Sequence, residues 1–420
     1  MSDNNLKHST PKKHQSVILI VVLVTTLLDA MSIGLIIPVT PDLIMSVAPE
    51  LNFADAATLS GLLISLFALM QLFFGPFFGI LSDQIGRRRI FLFLLSTIII
   101  YHLIFALGQS LWLLFLGRLI GGVGAATNPI STAILADGSA PEERAVKFGY
   151  LGAAFGLGFV VGPVVGGFLG EFGTRAPFWG AAFLAGINLL LGWLYLPETL
   201  SRKNRCDFKW QRANPIGAIY TVSVFSNLRF ILVVFLFYQF STAVYPAIWS
   251  FYTLERFSWS TGMIGASLTL YGISLACVQG GLVKPIISKL GESGAVKLGF
   301  IFAVVVLVSI GLVSNENTLL VLIPLAALGA VGETALKAIA SQSVEEDSQG
   351  ALQGALSSLT AISMIITPPV MSSIFTQFIK PGSIVYLPGA PFILSAILLF
   401  CALLIFIRIS SRIFPKSSFM

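Results

Sequence analysis

Ionisable residues stand at a few positions inside long apolar stretches of this 420-residue sequence. They are Asp29, His102, Arg118, Glu333 and Lys337. In a bilayer such a side chain costs roughly 2.5–3.5 kcal/mol on insertion scales, so it usually faces a cavity, finds a partner and serves a function. If the stretches cross a membrane, these residues are the candidates for binding protons or a polar substrate within it.

Each candidate also has a structural interpretation. Asp29 is about 12 residues, or roughly 18 Å, into its stretch, which places it near mid-bilayer. Its alternative role is that of a structural carboxylate held by hydrogen bonds. Arg118 can extend its charge toward the surface. Glu333 and Lys337 are four positions apart, so they can neutralise each other on one helix face, or Glu333 can face a cavity and bind protons. His102 can titrate near neutral pH or be a core side chain.

The composition identifies the elements that must carry these residues. Hydrophobic residues make up 56% and charged residues 10% of the sequence, with a mean hydropathy of +0.90, whereas a soluble domain has about 25% charged residues. This excludes an ordinary soluble enzyme, a disordered chain and a disulfide-rich module. The cysteines form no CxxC pair and no GK dipeptide occurs, so neither a metal site nor a Walker A loop is expected. The sequence predicts an all-α polytopic membrane protein without a cofactor.

Twelve apolar stretches are long enough to cross a hydrocarbon core about 30 Å thick as helices. They are 17–39, 57–80, 90–108, 111–135, 147–169, 177–196, 229–253, 261–287, 295–313, 318–342, 351–376 and 387–409. With both termini in the cytoplasm, 20 of the 25 Lys and Arg residues fall in cytoplasmic segments and three fall outside. This bias predicts the orientation and an even number of helices. It also explains the basic pI without nucleic acid, which is not expected as a partner.

A weak internal repeat divides the stretches into six and six. Gly86 and Gly291 each follow an apolar stretch and are 205 positions apart, as are Pro163 and Pro368. The sequence therefore predicts two parallel, pseudo-symmetric six-helix bundles with a substrate site between them near the midplane. The predicted organisation is a cytoplasmic tail (1–16), a first bundle (17–197), a cytoplasmic linker (198–228), a second bundle (229–409) and a cytoplasmic tail (410–420).

The segment GILSDQIGRRR follows the second stretch at a membrane face. Gly79 and Gly86 allow a tight reversal of the chain, and Asp83 can meet a helix N-terminus of the other half, where the dipole favours a carboxylate. Such a contact would hold the two halves together at this membrane face and would break when the halves move apart. Arg87 and Arg88 either support this gating loop or only set the membrane orientation.

Glycines recur at every fourth position of the fifth stretch, in the segment GLGFVVGPVVGG. The segment contains Gly158, Gly162, Pro163, Gly166 and Gly167. This spacing gives one smooth helix face for the close approach of a neighbour, and Pro163 removes a backbone donor and is expected to kink the helix. The pattern favours a transport-related hinge, with generic small-residue packing as the alternative.

These segments resemble the signature motifs of major facilitator superfamily transporters. GILSDQIGRRR and LGRLIGGVGAA are similar to superfamily motifs, and GLGFVVGPVVGG resembles the motif of twelve-span drug/proton antiporters. LLDAMSIGLIIPVTP, LERFSW and LQGALSSLTAI further resemble the tetracycline/proton antiporters. The resemblance implies a major facilitator fold, with Asp29 as the acid of the first span, Asp83 and Arg87 in the gating loop, and Arg118 tied to proton coupling.

The sequence departs from the tetracycline group at three positions. Where that group has acids in the third and ninth spans and a histidine in the eighth, this sequence has Tyr101, Ala303 and Leu275. The resemblance associates those groups with metal-chelated tetracycline and with proton movement. The departures leave tetracycline itself open as a substrate and require other groups for the proton.

Taken together, these features predict proton-coupled export of an amphipathic small molecule by alternating access. The proton gradient is the expected energy source, with Asp29 or Glu333 as the proton-binding carboxylate. The protein is expected to be a multi-pass monomer in the lipid of the inner cell membrane. A proton-driven importer of a metabolite or siderophore is the alternative on the same scaffold. A membrane-embedded enzyme would show a nucleophile–base pair or a set of metal ligands, and a sensor would carry a soluble output domain. The sequence shows neither feature, so neither class is expected.

Overall fold

The computed structural model describes residues 12–139, 141–206, 228–345 and 349–413. Every regular element in these ranges is helical. The predicted tails lie largely outside the described residues, as do residues 207–227 of the predicted linker. The described part of the linker holds a short 3₁₀ turn, Arg202–Asn204.

Eleven stretches of the described residues are long and apolar enough to cross a membrane. They are Ser16–Val47, Phe53–Ile85, Arg87–Leu107, Leu111–Asp137, Val146–Glu171, Ala176–Tyr195, Leu228–Phe257, Thr261–Leu312, Glu316–Gln342, Gln349–Ile379 and Ala390–Ser410. Thr261–Leu312 has 52 residues, roughly 78 Å of helix, which is more than twice the thickness of a hydrocarbon core. Gly291 interrupts it with φ 67° and ψ 170°, so this stretch holds two spans. The fold therefore has the twelve predicted transmembrane helices, numbered here as spans 1 to 12 in chain order.

The turns after spans 2 and 8 use the same backbone conformation. Gly86 has a φ of 112° and Gly291 a φ of 67°, in the left-handed region that strains any residue with a side chain. These are the two glycines that the sequence repeat pairs at an offset of 205. The repeat in the sequence therefore corresponds to a repeat in the structure.

Spans 1, 4, 7 and 10 each consist of two helices separated by a short break. The pairs are Lys12–Ile36 and Thr40–Val47, Leu111–Gly124 and Thr127–Asp137, Leu228–Thr242 and Val244–Phe257, and Glu316–Ala326 and Ala330–Gln342. The other helices are Phe53–Ile85, Arg87–Leu107, Pro141–Glu171, Ala176–Tyr195, Thr261–Cys277, Val283–Leu312, Gln349–Ile379 and Ala390–Ile413. The second helices of spans 1 and 7 begin 204 positions apart, and those of spans 4 and 10 begin 203 apart. The breaks thus follow the same repeat.

Prolines account for three of the four breaks. Pro41, Pro129 and Pro246 each lie within the first three positions of the second helix of their span. A proline lacks the N–H and clashes with the carbonyl four residues earlier, which favours a break before it, whereas it is tolerated in a first helical turn. In span 10 the break is a 3₁₀ turn, Ala327–Gly329, that follows Pro324.

The two halves contact each other near one face of the bundle. We call the face that carries Lys12 and Ile413 the terminal face, and the other the opposite face. Near the opposite face the hydroxyls of Thr58 and Thr376 are 2.9 Å apart. One apolar core combines first-half residues near this face with residues along the whole length of the second half, while a second core toward the terminal face contains only residues of the first half. The opposite face is therefore where the halves are joined.

Toward the terminal face the same spans diverge. Within the described part of the chain, open space surrounds Gly75 and Gly79 in span 2, Gly152 and Gly156 in span 5, and Gly280 in span 8. Near the opposite face, by contrast, the Thr269 hydroxyl of span 8 donates to the Val160 carbonyl of span 5 at 2.8 Å. The hydrogen bonds between the halves in the described part of the chain, such as Thr58 with Thr376 and Ser65 with the Ile365 carbonyl, all lie between the opposite face and mid-span. The structure is therefore closed at the opposite face and open at the terminal face.

Span 5 packs against span 1 through its glycines. A Cβ added at Gly158 would lie 2.2 Å from the carbonyl oxygen of Leu27, and one at Gly166 would lie 2.2 Å from that of Leu35. These distances are far inside van der Waals contact, so a methyl group at either position has no room. Only glycine allows the two backbones to approach this closely.

The remaining residues of the glycine segment extend this packing to both halves. A Cβ added at Gly162 would lie 2.5 Å from the Met31 carbonyl oxygen in span 1, and one at Gly167 would lie 2.6 Å from the Thr261 carbonyl oxygen in span 8. The helix Pro141–Glu171 continues through Pro163. Span 5 is thus packed between a neighbour in its own half and one in the other half, and its role as a hinge stays a prediction.

Substituting Gly166 by alanine should destabilise the protein, since the added methyl group would force spans 1 and 5 apart. Overpacking of this kind typically costs about 1–3 kcal/mol. Gly152→Ala on the same helix is the matched control, because open space surrounds Gly152 and alanine is favoured over glycine within a helix by roughly 0.5–1 kcal/mol. Thermal unfolding of the purified variants in detergent measures the difference, and equal melting temperatures would contradict the packing described.

Candidate functional site

A cavity of about 430 Å³ lies between the two halves. Its walls come from spans 1 to 5 of the first half and from spans 7 and 11 of the second. The ionisable and amide side chains that line it are Asp29, Gln71, Tyr101, His102, Arg118 and Asn128. The rest of the wall is largely apolar and includes Ile33, Ile64, Phe67, Phe155, Phe159 and Met364. The cavity has the mixed lining of a site for a small molecule with both polar and apolar parts.

Asp29 lines this cavity and is held by two polar neighbours. The Asn188 side-chain amide donates a hydrogen bond to Asp29 Oδ1 at 3.0 Å, and the Thr127 hydroxyl lies next to this carboxyl group. Asn188 is fully buried in span 6, and Thr127 begins the second helix of span 4. The break in span 4 therefore supplies one of the two groups that orient Asp29.

Arg118 lines the cavity without an acidic partner. Its Nη1 donates to the Tyr101 hydroxyl at 3.1 Å, and its guanidinium carbon lies 5.2 Å from the ring centre of Phe105 and 5.9 Å from that of Phe67. Among the described residues no carboxylate oxygen lies within 4.0 Å of its nitrogen atoms. Aromatic rings therefore supply most of the surroundings of this cation.

His102 also lines the cavity and is almost completely buried, with 2% of its surface exposed. Its ring centre lies 4.7 Å from that of Tyr101. Its Nδ1 has no hydrogen-bond partner among the described residues. His102 thus places a buried polar atom beside the pair formed by Arg118 and Tyr101, and its use in proton binding stays a prediction.

Glu333 and Lys337 lie apart from the residues that line this cavity. They form an ion pair of 2.6 Å along one face of span 10, with the geometry expected from their spacing. The buried Tyr238 side chain lies next to Glu333, and Lys337 Nζ lies 5.7 Å from the ring centre of Phe235. Glu333 therefore belongs to a polar cluster within the second half.

Arg87 is the centre of a polar network at the terminal face. It is 9% exposed, and its guanidinium contacts Asp83 at 2.6 Å and Asp137 at 3.0 Å as well as the Ser82 hydroxyl at 2.6 Å. Its backbone N–H donates to the Glu198 carboxylate at 2.9 Å. The network ties spans 2, 3 and 4 and the segment after span 6 to one another.

The other residues of the gating loop are arranged around this network. Arg88 Nη2 donates to the Trp193 carbonyl at 2.5 Å, whereas Gly79 faces open space within the described part of the chain. The side chain of Asp83 is paired with Arg87 in its own half. The predicted contact of Asp83 with a helix N-terminus of the other half is not among the hydrogen bonds and ion pairs of the described residues, in a structure whose terminal face is open.

Four partners in these clusters did not stand out in the sequence. They are Thr127 and Asn188 at Asp29, and Asp137 and Glu198 at Arg87. A lone amide in the apolar segment AGINLLL could have identified Asn188, since an unpaired amide is costly in hydrocarbon. Asp137 and Glu198 lie at the ends of spans, where acidic residues are common, so nothing in the sequence pairs them with Arg87.

Comparison with known proteins agrees with the resemblance noted in the sequence. Residues 22–332 match the family model described as Major Facilitator Superfamily. The chain is 34% identical to the class B tetracycline resistance protein of Escherichia coli, over 85% of this chain and 88% of that protein. It is 30% identical to multidrug resistance protein 2 of Bacillus subtilis, over 68% of this chain and 70% of that protein.

Solved structures share the fold. A bacterial homologue of the human lysosomal transporter Spinster superposes with a TM-score of 0.77 at 15% identity, covering 98% of this chain and 100% of that one. The human organic anion transporter MFSD10 (TETRAN) superposes with a TM-score of 0.69 at 24% identity, covering 94% and 100%. The two-bundle transporter architecture predicted from the sequence is thereby confirmed.

Replacing Arg87 by alanine should destabilise the protein strongly. It would leave the carboxylates of Asp83 and Asp137 without their shared cation, and because these side chains are 39% and 23% exposed, water screens part of the loss and a cost of about 1–3 kcal/mol is expected. Arg89→Ala is the control two positions away, because Arg89 is exposed and such substitutions usually change stability by less than about 0.5 kcal/mol. The free energy of unfolding by SDS in mixed micelles measures both, and equal effects would exclude a central role for Arg87.

Proposed function

We propose that this chain, which belongs to the Major Facilitator Superfamily, exports an amphipathic small molecule in exchange for protons. The chain is a multi-pass membrane transporter and not an enzyme, since its relatives are transporters of this superfamily. The observation that carries the proposal is one cavity that lies between two halves joined at a single face and contains a carboxylate within the membrane. The tetracycline and multidrug resistance proteins among the relatives favour drug-like substrates and export.

The distribution of basic residues supports the orientation. The segments predicted to be cytoplasmic hold 20 of the 25 Lys and Arg residues, and basic segments resist translocation. We therefore assign the terminal face to the cytoplasm of a cell whose inner membrane holds the protein. The described conformation is then open to the cytoplasm, where an exporter takes up its substrate. The protein would work as a monomer, with a 198–228 linker joining a first bundle (17–197) to a second (229–409).

Alternating access requires the contacts at the opposite face to break while the terminal face closes. The contacts that would break are single polar interactions and close backbone approaches, such as the bond of 2.8 Å from the Gly262 N–H of span 8 to the Glu171 carboxylate of span 5. Glycines of spans 5 and 8 meet there without interlocking side chains. Opening this face would also separate apolar side chains of the two halves, such as Phe53 and Phe251, whose ring centres lie 5.3 Å apart. The network around Arg87 would keep the first half rigid during this movement.

Asp29 is the first candidate for the carboxylate that couples proton binding to transport. Its carboxyl group lies in the substrate cavity and accepts a hydrogen bond from Asn188, so a proton on Asp29 would change the charge and the hydrogen-bonding capacity of the wall. A ligand shifts a conformational equilibrium only by its different affinity for the two states. Protons arriving from outside would favour the inward-open form, and substrate would couple to them through the shared cavity. Glu333, paired with Lys337, is the second candidate carboxylate, and Arg118 and His102, which line the same cavity as Asp29, are further candidates for proton coupling.

Asp29→Asn should abolish substrate-coupled proton movement while leaving the protein folded, because asparagine keeps the shape but cannot bind the proton. Inverted membrane vesicles with an acidic lumen measure this when candidate compounds are added and proton release is followed. Glu50→Gln is the matched control, since Glu50 is exposed near the opposite face. If the Asp29 variant still released protons on addition of substrate, Asp29 would have no role in coupling. If no compound caused proton movement in vesicles of either orientation, exchange of substrate for protons would be refuted.

A disulfide across the opposite face should stop transport reversibly. Thr58→Cys and Thr376→Cys replace hydroxyls that lie 2.9 Å apart in different halves, in a background where Cys206, Cys277 and Cys401 are replaced by serine. Oxidation should cross-link the halves and hold the opposite face closed, and reduction should restore transport. The single-cysteine variants control for the oxidant. Undiminished transport by fully cross-linked protein would show that this face does not need to open.

A further inference from the structure

Arg118 has hydrogen-bonding capacity that the protein does not use. A guanidinium group has five N–H donors, and the hydrogen bond of Arg118 to another side chain is the one from Nη1 to the Tyr101 hydroxyl. Its Nε is buried and has no partner among the described residues. Tyr101 is a neutral acceptor, so it does not compensate the positive charge. The cavity therefore contains a cation with free donors.

The rings around Arg118 favour a flat anionic group as its partner. Phe67, Tyr101 and Phe105 lie within 5.9 Å of the guanidinium carbon. Cation–π contacts stabilise a cation modestly and leave its edge N–H groups available. An arginine held in this way can bind a carboxylate or sulfonate through two parallel hydrogen bonds.

The acid of the cavity is engaged elsewhere. Asp29 accepts a hydrogen bond from Asn188 and lies next to Thr127, which begins the second helix of span 4, whereas Arg118 lies in the first helix. Both residues line the same cavity, yet they form no ion pair within 4.0 Å among the described residues. The cavity thus has a cationic end at Arg118 and an acidic region at Asp29.

His102 supplies a second, independent indication at the cationic end. It is 2% exposed, lines the cavity and has an unpartnered Nδ1, although buried polar atoms in proteins are generally hydrogen-bonded. Its ring is tilted by 45° against that of Tyr101, the residue that accepts the hydrogen bond from Arg118. Arg118 and His102 are therefore two neighbouring side chains of the cavity wall, and each has a buried polar atom without a partner among the described residues.

We propose that the cavity binds a small amphipathic organic anion, with its carboxylate or sulfonate group on Arg118 and its apolar body against the aromatic and isoleucine wall. This assignment of the substrate class rests on the proposed transport function. Tyr101 would act as the specificity-determining residue, because a carboxylate at this position would pair with Arg118 and occupy the anion site.

Three naphthalene probes of similar size test the assignment on the purified full-length protein: 2-naphthoate, the neutral 2-naphthamide and the cationic 2-naphthylmethylammonium. Isothermal titration should show that naphthoate binds at least about tenfold more tightly than the other two, as expected for a hydrogen bond to a charged group. Naphthoate binding that is absent, or no tighter than that of naphthamide or of the ammonium probe, would overturn the proposal.

Substitutions then locate the site. Arg118→Gln should weaken naphthoate binding by about tenfold or more and leave naphthamide unchanged, while Arg118→Lys should retain part of the preference. Tyr101→Glu retains Arg118 but should remove the preference for the anion, because the new carboxylate would pair with Arg118. This variant tests the assignment if the Arg118 variants do not fold. Arg175→Gln, outside this cavity, is the control. An unchanged preference in folded Arg118→Gln or in Tyr101→Glu would overturn the assignment.

The same probes separate this inference from the proposed function. Exchange of the ammonium probe, but not of naphthoate, for protons in inverted vesicles would refute the anion site while supporting antiport. Arg118-dependent naphthoate binding without proton movement for any compound would support the anion site and refute antiport.

Discussion

The high cost of an unpaired charge in hydrocarbon is the constraint that arranges this molecule. Arg87 is paired with two carboxylates at the terminal face, and Glu333 and Lys337 are paired with each other. Asp29 and Arg118 differ, because both face the cavity between the halves. Charges that pair within the protein stabilise one half as a unit, whereas charges that face the cavity remain available to protons and ligands. The pairing pattern thus separates the residues that hold the structure from those that can respond to a ligand.

The glycines complement this arrangement. Close approach of backbones at Gly158 and Gly166 fixes span 5 to span 1 within the first half, while Gly167 brings span 5 against span 8 of the second half. A surface without side chains can be tightly packed and still separate, since no side chain has to leave a pocket. The same helix can therefore belong firmly to one half and contact the other half at a single face, which alternating access requires.

Local signals in the sequence were sufficient for the spans, for the turns at Gly86 and Gly291 and for the pair formed by Glu333 and Lys337, because each depends on residues close in the chain. They also predicted two equivalent halves. They did not reveal the breaks in spans 1, 4, 7 and 10, although prolines mark three of them, since prolines such as Pro163 also occur in unbroken spans. The partners of Asp29 and Arg87 are contributed by distant spans, and no local pattern specifies such a contact.

The breaks give the four interrupted spans a role that their composition does not suggest. In span 4 the first helix carries Arg118 and the second begins with Thr127, the partner of Asp29. A change in the angle between these helices would alter the distance between the cationic end of the cavity and its acidic region without disturbing either set of contacts. Span 10 is interrupted at the equivalent position of the repeat, and its second helix carries Glu333 and Lys337. Under the proposed exchange, a substrate charge at Arg118 and a proton at Asp29 would therefore influence each other through the geometry of a broken helix rather than by direct contact.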